Sequence, residues 1–267
     1  MIIPLVCVLR HRPGWFAVLC CCALLLGGPL AAQSDEWWSL TQQVETLIRQ
    51  GRYDNATVVA KSALQVAERD YGLDSLAVGR SLNDLAELYK AQGQHATAGP
   101  LLERALAIWE KVLGPDHPDV AIPLGNLAAL RQLQRRYEEA EPLYQRALTI
   151  GEKGLSPDHP RVALSLNNLA ALYAERRNYA AAEPLLKRSL AISETALGSD
   201  HPSVAASLNN LATLYYIQGQ YAVAEPLYQR ALAIVKKAFG PDHHTVAMLL
   251  KILAEIQERK GMTGEAK

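Results

Sequence analysis

The sequence predicts an all-α solenoid of about five helical hairpins followed by a terminal helix, and three regularities carry that reading. A 42-residue unit recurs without insertion or deletion from residues 81, 123, 165 and 207, with a decayed copy over 39–80 and half a copy over 249–267. Within each unit core-facing residues fall at helical spacing in two runs, such as Leu166, Leu169, Ala170, Leu172 and Tyr173, then Tyr179, Ala182, Leu185, Leu186, Ser189, Leu190 and Ile192, with Ser189 taken as part of the apolar run. The runs are separated by turn residues, and each unit closes on Gly or Ser followed by Asp-His-Pro or a close variant.

The first 32 residues stand apart from this pattern. Arg10 and Arg12 precede twelve apolar residues from Trp15 to Leu26, then Gly27-Gly28-Pro29, then the small pair Ala31-Ala32. That order is the one a secretory signal peptide has, with cleavage expected between Ala32 and Gln33. Twelve apolar residues fall short of the roughly 20 that a spanning helix needs, so retention as a membrane anchor is the alternative. All four cysteines (Cys7, Cys20, Cys21 and Cys22) lie in this segment, which removes disulfide and Cys-ligand chemistry from the remainder.

Residues 33–267 read as one repeat domain. The turn inside each hairpin is expected at Gly51, Gly93, Arg135, Arg177, Gly219 and Gly261. Pro100, Pro142, Pro184 and Pro226 sit about a turn into the second helix, where a missing N–H costs little. In the connectors, Pro118, Pro160 and Pro202 are placed at the first helical position and His117, His159 and His201 at the N-cap, because proline disfavours helical geometry in the residue before it. The end units are expected to be irregular, since each has one face without a neighbour. Gln43 accordingly replaces a Leu of the other units, and the last run carries Lys251, Glu255, Glu258, Arg259 and Lys260.

The residues at this point resemble a known family. Leu211, Ala212, Tyr215, Gly219, Tyr221, Ala224, Tyr228 and Ala231 have the spacing of the tetratricopeptide repeat. The common unit has about 34 residues, and in its longer form, with the LNNLA and AEPLYxRAL phrases, the sequence is similar to the repeats of kinesin light chain and nephrocystin-type proteins. The long coiled coil of a kinesin light chain has no counterpart here, so a motor-adaptor role is not implied. The resemblance implies a right-handed superhelix with first helices lining a concave surface and Ala86, Ala128, Ala170, Ala212, Ala98, Ala140, Ala182 and Ala224 permitting close helix approach.

Composition and motif content point to binding rather than catalysis. Lys and Arg (27) balance Asp and Glu (27), so no field favours nucleic acid, and none is expected as a partner. No Gly-rich phosphate loop, HExxH or GxSxG occurs, and no cofactor or metal is expected. His117, His159, His201 and His243 return once per unit beside Asp, as helix terminators rather than a metal ladder. Glu138, Glu139 and Glu141 favour a helix N-terminus.

The candidate groove residues are Asn83, Asn126, Asn167, Asn168, Asn209, Asn210, Thr213 and Tyr216, on positions that the resemblance places on the concave surface. An Asn side chain both donates and accepts, and so can match one residue of an extended peptide backbone. The same asparagines could instead knit helices together. Lys90 and Arg131 are the only basic residues nearby, which disfavours a ligand with an acidic C-terminus.

The expectation is thus a non-enzymatic scaffold that binds a protein or an extended peptide, exported to the periplasm or outside the cell. It would touch a membrane only if residues 1–32 are retained. The alternative is a structural subunit of a membrane-tethered or self-associating envelope assembly. N-terminal sequencing of the protein from its native compartment should begin at or next to Gln33; a chain that still carries Trp15 to Leu26 in the membrane fraction would establish the anchor instead.

Overall fold

The punctuation of each unit decides where its helices begin and end. The computed structural model describes residues 35–263, and the expected export signal over 1–32 lies outside them. Among the described residues there are eleven α-helices: α1 (Asp35–Arg49), α2 (Tyr53–Tyr71), α3 (Leu76–Ala91), α4 (His95–Leu113), α5 (Ala121–Leu133), α6 (Tyr137–Gly154), α7 (Pro160–Glu175), α8 (Tyr179–Leu197), α9 (Pro202–Ile217), α10 (Tyr221–Phe239) and α11 (His244–Thr263). Odd and even helices pair as hairpins from α1–α2 to α9–α10, leaving α11 as the terminal helix. The chain forms two compact units, residues 35–150 and 151–263.

Each hairpin turn is the same hydrogen-bonded motif. The second residue after the first helix takes a left-handed conformation, at φ 72° in Gly51 and 75° in Gly93 and Gly219. The next residue's N–H then reaches back five residues, as Gln94 does to the Tyr89 carbonyl at 2.8 Å and Gln220 to that of Tyr215 at 2.9 Å. Arg135 and Arg177 occupy the same place at φ 60° and 57°. Left-handed geometry costs an L residue about 1–2 kcal/mol, yet Arg136 and Asn178 still close the motif on Arg131 and Tyr173. Gly261 departs from expectation. It lies inside α11, which continues to Thr263.

The connectors perform as helix starts. His159 and His201 adopt extended N-cap conformations, and their Nδ1 atoms accept the N–H of Arg161 and Ser203 at 3.1 Å. Burial, assisted by nearby Arg161, holds the His159 pKa below the usual range, consistent with an accepting neutral ring. His117 caps in the same way, but Pro118–Val120 form one 3₁₀ turn before α5 begins at Ala121.

Packing is organised around the small residues. All eight alanines singled out above are 0% exposed. They bring the helices of a hairpin and its neighbour close enough for Leu82, Leu124, Leu166 and Leu208 to be fully buried as well. On the second helices a ladder of ion pairs joins each hairpin to the one before it. Arg104 meets Glu68 at 2.9 Å and Arg146 meets Glu110 at 2.6 Å in the first unit, and Arg188–Glu152 and Arg230–Glu194 both close at 2.5 Å in the second. Arg146 and Arg188 also donate to the carbonyls of Pro115 and Pro157, so the same guanidinium pins the connector. Exposed pairs of this kind contribute modestly, about 0–1 kcal/mol each.

Two glycines test the packing in opposite directions. A Cβ at Gly79 would lie 2.5 Å from Cδ1 and Nε1 of Trp109, whereas one at Gly125, inside α5, would meet nothing within 4 Å. Gly79→Ala should therefore lower stability by about 1–3 kcal/mol in urea unfolding, and Gly125→Ala should raise it by roughly 0.5–1 kcal/mol through helix propensity.

Candidate functional site

From α3 to α9 one stripe of each first helix carries partly or fully exposed residues: Arg80, Asp84, Glu87 and Ala91 on α3; Ile122, Asn126 and Leu133 on α5; Leu164, Asn168 and Glu175 on α7; Asn210, Thr213 and Ile217 on α9, with Ala129, Ala171 and Ala206 buried in the same stripe. The spacing i, i+4, i+7, i+11 is that of a helix face. Asn126, Asn168 and Asn210 share one repeat register on it, and each keeps part of its side chain in solvent.

The remaining candidates lie deeper. Asn83, Asn167 and Asn209, one residue earlier, are only 7%, 6% and 3% exposed. In the first unit Asn83 accepts a 2.8 Å bond from Nδ2 of Asn126, joining α3 to α5. In the second, Asn167 donates to Ser207 Oγ within a buried polar knot that also holds Ser189 and Ser193. Ser189 replaces the alanine found at its register in Ala105, Ala147 and Ala231, and its hydroxyl donates to the Ala163 carbonyl at 2.8 Å. Reading Ser189 as part of an apolar run missed that knot. The signal was the joint occurrence of Ser189, Ser193 and Ser207 in one pair of repeats.

Thr213 and Tyr216 are likewise engaged inside the protein. Thr213 Oγ1 donates to the Asn209 carbonyl at 2.7 Å and lies 2.8 Å from the Tyr228 hydroxyl. Tyr228 is 1% exposed, and burial pushes its phenol well above the usual range. Tyr216 donates to Glu255 at 3.2 Å and packs edge-on against Tyr221, with the Arg259 guanidinium over both rings. Tyr144 repeats the theme in the first unit, where its hydroxyl donates to Gln132 at 3.0 Å.

Neither Lys90 nor Arg131 is presented to a ligand as a lone charge. Lys90 is 8% exposed and pairs with Glu87, while Arg131 pairs with Glu103 and Glu139. The α1–α3 part of the face is instead a mixed network. Arg80 lies 3.8 Å from Glu45 and 4.0 Å from Asp84, with its guanidinium over the Trp38 ring. Burial pushes the Asp84 carboxyl up to about 6, against the opposing pull of Arg80 and a hydrogen bond from Asn83; Glu45 and Glu87 add to the rise. The faces of α7 and α9 hold neutral amides and apolar side chains at most of the corresponding positions.

Among the described residues no group of three or more His, Cys, Asp or Glu could hold a metal ion, and no helix is long and apolar enough to cross a membrane. The tetratricopeptide repeat profile matches five overlapping windows from residue 38 to 267. No curated protein matches the chain. Among solved structures it is similar to the nearly identical TPR-like repeats assigned to a kinesin light chain of Podosopora anserina, with 27% identity and a TM-score of 0.60 over 78% of this chain and 99% of that one. BtubC (BKLC) from P. vanneervenii gives 28% identity and a TM-score of 0.61 over 78% of this chain and 84% of that one. A Rap protein complexed with competence and sporulation factor shares the fold alone, at 17% identity and a TM-score of 0.66 over 86% of this chain and 71% of that one.

The raised Asp84 pKa makes a signed prediction. A carboxyl that holds its proton more tightly when folded than when unfolded favours the fold at low pH, and that contribution is lost as pH rises from about 4 through 6. Asp84→Asn, which installs the residue its sister repeats already carry, should raise stability at pH 7 by about 1–3 kcal/mol. Thermal melts from pH 4 to 7 should show the corresponding slope in the parent and its loss in the variant.

Proposed function

Because the chain belongs to the tetratricopeptide repeat family, whose fold and repeat architecture support a non-catalytic protein-interaction scaffold, we propose that its first-helix faces bind an extended segment of a protein partner. The observation that carries this reading is the shared register of Asn168 and Asn210 in the second unit. Both stay partly exposed in successive repeats, whereas Asn126 at the same register in the first unit donates to Asn83; Asn167, Thr213 and Tyr216 are taken up by internal contacts, and Asn209 is buried. The proposal therefore rests on Asn168 and Asn210, with Asn167, Asn209, Thr213 and Tyr216 as support for the helices of the second unit, and Asn83 bonded to Asn126 in the first.

The neighbours of the asparagines fit such a ligand. Leu164, one turn before Asn168, is 39% exposed, and Ile217, two turns after Asn210, is partly exposed. Amides that read backbone beside apolar side chains suit a segment with a few hydrophobic anchors, whereas a strongly charged ligand would need a face of opposite sign. The 42-residue unit and the LNNLA and AEPLY phrases support placing the chain with the kinesin-light-chain-like branch of the family. In this reading the protein acts after export, with residues 1–32 as its cleaved signal, supported by the order of Arg10, Arg12, the apolar run and Ala31-Ala32.

The test uses a peptide selected from a random library on the parent protein. Losing hydrogen bonds to a desolvated peptide backbone costs about 1–3 kcal/mol per site, so Asn168→Ala with Asn210→Ala should weaken that peptide at least tenfold in a titration, with helicity and melting temperature nearly unchanged. Affinity held within twofold would remove these asparagines from the contact.

A further inference from the structure

The two units use one pair of repeat positions differently. In the first, Asn126 Nδ2 donates to Asn83 Oδ1 at 2.8 Å, from α5 to the neighbouring first helix α3, across 43 residues of sequence. In the second, α7 and α9 are likewise neighbours, and Asn167 and Asn210 stand at the corresponding positions. There the bond is not made. Asn167 Oδ1 is buried without a hydrogen-bond partner among the described residues, while Asn210 is partly exposed.

A buried carbonyl without a donor has lost its hydration and gained nothing in return. The Asn167 side chain is anchored where it is, because its Nδ2 donates to Ser207 Oγ at 3.3 Å and Ser207 is tied in turn to Ser189 and Ser193. The donor has to come to it. By repeat position Asn210 is the side chain that can supply one, as Asn126 does for Asn83. Asn209 Oδ1 is also buried and unpartnered, but the residue 43 positions after it is Ile252, which has no donor to give.

We propose that Asn167 is a positioning residue for the peptide face: the Asn210 amide turns one hydrogen onto Asn167 Oδ1 and is thereby held in a fixed plane. An Asn side chain has two donor hydrogens and an acceptor oxygen, so one hydrogen and the oxygen remain. Those are what one residue of an extended backbone needs, a donor for its carbonyl and an acceptor for its N–H. An amide fixed before the ligand arrives has less freedom to lose on binding. Asn167 thus acts through Asn210 without touching the ligand, and its role rests on the reading of Asn210 as a ligand contact.

The experiment joins NMR measurement of side-chain amide exchange with titration of the library-selected peptide, on protein purified from cells expressing the full chain, with thermal melts confirming the fold of each variant. The Asn210 amide signals are identified by their loss in Asn210→Ala. In the ligand-free parent these protons should exchange at least threefold more slowly than in Asn167→Ala, and more slowly than those of Asn168, whose counterpart 43 positions earlier is Gly125, without a side chain. The comparison with Asn168 uses the parent alone and decides the matter if Asn167→Ala does not fold. Asn167→Ala should weaken the peptide about three- to tenfold, yet by no more than about 1.5-fold in a chain that already carries Asn210→Ala. Asn209→Ala, which removes an equally buried asparagine with no donor to hold, should stay within twofold of the parent. Unslowed exchange at Asn210 overturns the proposal, as does a loss of the same size in the Asn210→Ala background or from Asn209→Ala, since either marks a purely structural effect. Asn168→Ala with Asn210→Ala holding affinity within twofold defeats the groove reading itself and the positioning role with it, and is told apart because it needs no change at Asn167.

Discussion

Close approach of helices at eight alanines is the constraint from which the rest of the architecture follows. Ala86, Ala128, Ala170 and Ala212 on first helices, and Ala98, Ala140, Ala182 and Ala224 on second helices, show no exposed surface. Any larger side chain at these sites would push neighbouring backbones apart. The leucines beside them would then lose their seals, the turn motifs would no longer align two helices, and the arginines of the ladder would fall out of reach of their glutamates. Each feature is local, but all of them inherit the spacing that the alanines set.

Much of this was legible in the sequence because a repeat states each rule several times. The turn sites, helix starts and small residues all follow from comparing units. The groove residues were harder. Asn167 and Asn168 are adjacent in sequence, yet a step of one residue rotates a side chain about 100° around a helix, so one enters the polar knot with Ser207 and the other stays on the surface. Spacing alone does not say which of two neighbouring asparagines faces inward. Gly261 was misjudged for a related reason. Its register is that of a turn, but the turns at Gly93 and Gly219 are each followed by a second helix packed on the first, and α11 shows no such docking among the described residues.

The two units share one scaffold but differ in what their faces offer. In the first, Arg80 lies between Glu45 and Asp84 across α1 and α3 and Glu87 pairs with Lys90, with Asp84 held in a setting that penalises its charge. In the second, most of that chemistry is replaced by amides and alkyl groups. A repeat protein can vary this face freely because its folding depends on the opposite side of the same helices, where Leu and Ala are conserved from unit to unit within the chain. Difference on the open face and identity on the closed one is the division that a binding scaffold requires.

The ion-pair ladder has an implication for how such a chain lengthens. Every interior repeat carries both halves of a rung, an arginine for the repeat before it and a glutamate for the repeat after it. A tandem duplication of any 42-residue segment within that series would arrive with compatible ends on both sides and need no further substitution to be accepted. Unequal recombination between near-identical coding repeats can thus change the number of units in a single event, and the grammar of the rungs would tolerate the product. Growth ceases to be neutral where the rung changes sign. At Lys236 a copied repeat would bring its arginine against a lysine and lose the rung.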